Sequence, residues 1–69
     1  MTNVRYYTRV DHLNAGEVIR FHGSDWTVLE VLAVEGDAGV VVIARLAGGQ
    51  TRRALPFPHP AAAALVVIL

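Results

Sequence analysis

Cysteine is absent from the 69-residue chain, lysine is absent too, and serine occurs only at Ser24. Without cysteine there is neither a disulfide framework nor a thiolate metal site. Without lysine, all six basic residues are arginine, and six acidic residues bring the formal net charge to zero. A neutral chain has no global field to gather nucleic acid or an anionic membrane. Long hydrophobic runs are also lacking. The longest, "PAAAALVVIL" at residues 60–69, is about half of the roughly 20 residues that a helix needs to cross a bilayer. The opening "MTNVRYYTRV" is polar and aromatic and lacks the apolar stretch of a signal peptide. These absences lead us to expect a cytoplasmic protein with no cofactor, no metal and no membrane partner.

Apolar residues, by contrast, are abundant. They make up 54% of the chain with glycine left out of the count, whereas typical globular domains reach about 45–50% with glycine included. A chain of this length is one domain, and it buries only about 60% of the surface its unfolded form exposes. Some apolar surface should therefore stay outside, and such surface usually marks an interface. The expected partner is a protein or a second copy. Ten alanines, eleven valines and arginine-only basicity are the composition of a GC-rich genome. An actinobacterium or a phage that infects one would fit, with the virion as the alternative location.

Turn signals punctuate the chain at Gly16, "HGSD" (22–25), "EGDAG" (35–39), "GGQ" (48–50) and "PFPHP" (56–60). Between them lie short runs rich in Val and Ile, whose branched side chains suit a pleated sheet. "NVRYYTRV" alternates and reads as an arm or first strand, assigned with residues 1–14. "EVIRF" (17–21), "VVVIARLA" (40–47) and "TRRALPF" (51–57) read as strands, with Pro56 at a strand end or edge. "WTVLEVLAVE" (26–35) is apolar on both alternating sets, so it should be a bent strand that buries a different face in each half. "HPAAA" favours one helical turn, since proline tolerates the first helical position and alanine has the best propensity. "LVVIL" (65–69) does not alternate and reads as a last strand buried on both faces, or as one that pairs with another chain.

The order of these runs resembles SH3-like barrels. "ALPFPHPAAAALVVIL" is similar to their fourth strand, short helical turn and fifth strand. "AGEVIRFHGSDWTVLEV" resembles the opening of KOW-type barrels, among them the N-terminal domain of translation elongation factor P. The resemblance covers residues 15–69 and implies a small SH3-like barrel of five or six strands, with one short helical turn before the last. The chain departs from the elongation factor at "EGDAG", which is acidic where that domain carries its functional lysine, so that role is not carried over. Fold likeness alone does not supply function.

Catalytic chemistry is poorly served. Ser24 sits with His22 and Asp25 in "HGSD", but residues within one turn rarely reach triad geometry, and Gly, Ser and Asp are ordinary turn residues. His12, His22 and His59 lack metal-ligand spacing. We therefore expect a non-enzymatic module for assembly or adaptor work. Its partner-binding candidates are Tyr6, Tyr7, Trp26, Leu65, Val67 and Ile68, with Arg5 and Arg9 beside Tyr7 on the arm. The alternative is a KOW-type RNA- or DNA-binding barrel that grips phosphate with Arg45, Arg52 and Arg53.

Overall fold

The computed structural model describes residues 4–36 and 38–68. Six strands form in the expected runs: β1 (Val4–Arg9), β2 (Val18–Phe21), β3 (Ser24–Ala33), β4 (Val40–Leu46), β5 (Arg52–Phe57) and β6 (Ala63–Ile68). All pair antiparallel in one sheet of order β1-β6-β2-β3-β4-β5. The C-terminal strand is thus interior, held by β1 on one side and β2 on the other. Residues 4–9, expected as an arm or first strand, belong to the same sheet as the rest.

Local chemistry sets the turns. β2 and β3 are joined by His22-Gly23, with φ of 49° and 79°. Positive φ at both centres makes a type I′ turn, whose twist matches that of the flanking strands. The bend expected in β3 is a bulge at Leu29, between Val28 and Glu30 in the ladder to β4. Before it Trp26 and Val28 face the core, and after it Val31 does. The extra residue changes the parity, which is why both alternating sets of this strand are apolar.

One face of the sheet encloses the core. Ile19, Val28, Val42 and Val66 from four strands are fully buried there. Val10 and Leu13 enter from the β1–β2 connection and are also buried. The sheet curls to bring this face together. Phe21 on β2 and Phe57 on β5 have ring centroids 5.2 Å apart, although a flat sheet would separate strands three places apart by roughly 14 Å. Among the described residues β1 and β5 form no ladder to each other, so the curled sheet is not closed there and keeps two edges.

The helical turn lies elsewhere than expected. The only helical segment among the described residues is a 3-10 turn at Val10–His12, between β1 and β2. Before β6 there is a single turn closed by the Ala62 N–H to the His59 carbonyl, 3.0 Å. A longer helix cannot form there. The Pro60 and Ala62 carbonyls accept from the Asp11 and Val10 N–H groups, at 3.3 and 2.9 Å, while Ala63 and Ala64 pair with Arg9 and Thr8. Alanine's helix propensity loses to the ladder.

Candidate functional site

The pairing pattern decides which backbone groups each edge offers. The Val10 N–H donates to the Ala62 carbonyl at 2.9 Å, continuing the β1–β6 register by one residue. Pairs in an antiparallel ladder alternate between bonded and unbonded. Tyr6 and Thr8 therefore bond to β6, and the N–H and C=O groups of Arg5, Tyr7 and Arg9 point away from the sheet. No strand lies beyond them among the described residues.

The other edge is different. Pro56 pairs with Val41 but has no N–H, so that pair is of the unbonded type. By alternation Arg52, Ala54 and Pro56 face outward, and Pro56 supplies no donor. Proline on an edge is a device that discourages strand addition. Strand β1 is thus the edge with a complete set of donors and acceptors.

Side chains along β1 alternate between the two faces. Tyr6 lies on the core side, 38% exposed, and its hydroxyl donates to Glu17 Oε2 at 3.2 Å. The Glu17 Oε1 accepts the Asn14 N–H at 2.6 Å, tying the next turn to the strand. Partial desolvation, followed by the Glu17 carboxylate, pushes the Tyr6 phenol above its ordinary value. Tyr7 lies on the outer face and is 76% exposed. Arg9 grips Asp11 with two hydrogen bonds, Nε to Oδ1 at 2.9 Å and Nη2 to Oδ2 at 2.7 Å. That contact holds the Asp11 carboxyl below the usual carboxylate range and raises Arg9. Arg5 has no ion-pair partner among the described residues.

The remaining candidates separate. Leu65, half-buried, sits opposite Tyr7 on the outer face, and Val67, buried, lies between Arg5 and Val18. The Ile68 side chain is outside the described residues. Trp26 is 8% exposed within the core, and its indole N–H donates to the Phe21 carbonyl at 3.2 Å. Arg45 and Arg52 are direct cross-strand neighbours on the outer face, whereas Arg53 pairs with Ala44 and faces the other way. Arg45 also donates to the Gly49 carbonyl at 2.9 Å. "HGSD" is consumed by the hairpin: Ser24 pairs with Phe21, and Asp25 accepts from Arg20 across the strands. His59 Nδ1 accepts the Ala61 N–H at 3.1 Å.

Sequence reasoning did not find the Arg9–Asp11 clamp or the Tyr6–Glu17 bond. The first had a signal, since opposite charges two residues apart at the end of an alternating run can meet when the chain turns. The second joins residues 11 apart and needs the fold. A shallow apolar cleft of about 340 Å³, lined in part by Val34, Val40, Pro56 and Phe57, lies at the far end of the β3–β5 hairpins. No helix among the described residues is long and apolar enough to cross a membrane. No protein-family model matches the chain, and neither a curated protein nor a solved structure matches it significantly.

Proposed function

We propose that this protein is a non-enzymatic interaction module that takes an extended segment of a partner protein as an added strand on β1. The observation that carries this reading is the free edge itself. Outward N–H and C=O groups at Arg5, Tyr7 and Arg9 stand on a proline-free strand, with Tyr7, the most exposed large apolar side chain among the described residues, at its centre. Main-chain bonds to an added strand supply affinity, and alternate side chains supply selectivity. Assembly or adaptor work needs no more than this.

The test is selection of a displayed random-peptide library on the protein, followed by binding to a Tyr7→Pro variant. The Tyr7 N–H points away from β6, so proline there deletes an outward donor and leaves the β1–β6 bonds in place. Selected peptides are expected to be β-forming and to lose binding to Tyr7→Pro while its circular dichroism is unchanged. Equal binding to both proteins would refute strand addition at β1. Thr8→Pro, which removes a bond to β6, is expected to disrupt β1 and serves as the contrast.

A second reading is supported by one register row. Arg5, Val67, Val18, Thr27, Arg45 and Arg52 run across the outer face from edge to edge. Three arginines at the two ends of one row make a path for a nucleic-acid backbone, with Arg53 outside it.

A further inference from the structure

We infer that the strand added to β1 is β1 of a second copy, antiparallel about a two-fold axis at Tyr6. This rests on the strand-edge reading above and names its occupant. Two identical edges can pair antiparallel only where outward residues meet outward residues. With Arg5, Tyr7 and Arg9 outward, an axis at Arg5 or Arg9 would set that arginine against its own copy, a like-charge pair, which leaves Tyr6, Tyr7 or Thr8.

Charge and geometry choose among these. An axis at Tyr7 sets Arg5 opposite Arg9 of the second copy, and like charges directly opposite destabilise a ladder. An axis at Thr8 overlaps little of β1, because Val10 already turns into the core. It would also oppose Tyr7 with Arg9, whose guanidinium is held by Asp11. An axis at Tyr6 sets Arg5, which has no ion-pair partner among the described residues, against the 76% exposed Tyr7 of the other copy. The symmetry makes that cation–aromatic contact twice. The two Tyr6 rings then meet across the core side as a directly opposed aromatic pair. Zero net charge leaves no long-range repulsion between copies. The product is one continuous antiparallel sheet across the dimer, with both β5 edges outermost.

The chain's lack of cysteine makes the register readable. Tyr6→Cys, Tyr7→Cys and Thr8→Cys would each be treated with diamide and resolved without reductant. In the Tyr6 register the two Cα atoms at position 6 stand about 4.5 Å apart, within the span of a disulfide. Tyr6→Cys is expected to cross-link efficiently, and the other two poorly. Sedimentation of the native protein should show mass rising from 7.5 kDa towards a dimer with concentration. Arg5→Ala or Tyr7→Ala should raise the dissociation constant about 5- to 30-fold, for two lost cation–aromatic contacts. A protein that stays monomeric, or that cross-links best at position 7 or 8, overturns this inference. Tyr7→Pro-sensitive capture of library peptides by a monomer would still uphold the strand-edge reading, so the two can fail separately.

Discussion

Gly23 has φ of 79°, and a Cβ built on it would meet nothing within 4 Å. The site is therefore open in space and restricted only in backbone conformation. Gly23→Ala is expected to destabilise the protein by about 1–2 kcal/mol, the cost of a left-handed L-residue, measured as a lower urea midpoint at constant m-value. A second residue-scale expectation concerns pH. Arg9 lowers the Asp11 carboxyl in the folded protein. The stability this confers is present above the unfolded value of about 3.9 and disappears as pH falls through the lower folded value. Tyr6 is the reverse case: its raised phenol confers stability below about pH 10, which is lost as pH rises through the folded value. In melts from pH 2 to 11, Asp11→Asn should flatten the acid limb and Tyr6→Phe the alkaline limb.

At the scale of elements, β6 carries the most. It is the strand through which β1 reaches β2, so its loss cuts β1 from the sheet. Deleting residues 65–69 is expected to unfold the monomer, seen as loss of the β-sheet circular dichroism signal. A truncated protein that stayed folded would contradict the assignment of β6 to the interior. A finer probe is Val66→Ala. Val66 is fully buried in the core, and its truncation should cost about 1.5–3 kcal/mol in denaturant unfolding. The same change at Arg52, exposed on the β5 edge, has little apolar burial to lose.

The whole molecule exposes 4525 Å², close to the roughly 4,250 Å² expected of a compact monomer of its mass. The association proposed at β1 would therefore add to a completed fold and not finish one. Zero net charge also limits what the arginine row can do. If Arg5, Arg45 and Arg52 contact phosphate together, log affinity should fall with log salt at a slope near −3. Fluorescence anisotropy with a labelled oligonucleotide between 50 and 300 mM salt would read that slope. Tight, salt-resistant binding would promote the nucleic-acid reading over strand addition.

The runs of Val and Ile, the glycine turns and the Pro56 edge position were legible in the sequence because each depends on residues near one another. Period-2 alternation, positive-φ turn chemistry and a missing N–H are local facts. The bend in β3 was legible too, since both of its alternating sets are apolar. The helical turn was misplaced because propensity is a weak local preference, overridden when β1 and its following turn claim the same carbonyls. What the tertiary structure alone decided is the strand order, and with it the site. "LVVIL" reads equally well as a closing strand or an exchanged one; only its pairing with β1 and β2 makes it interior. Trp26 and Tyr7 look alike as candidate aromatics, yet the fold buries one and exposes the other. Tyr7 became the centre of a free edge because long-range pairing turned its backbone away from β6, and no short window of sequence contains that pairing.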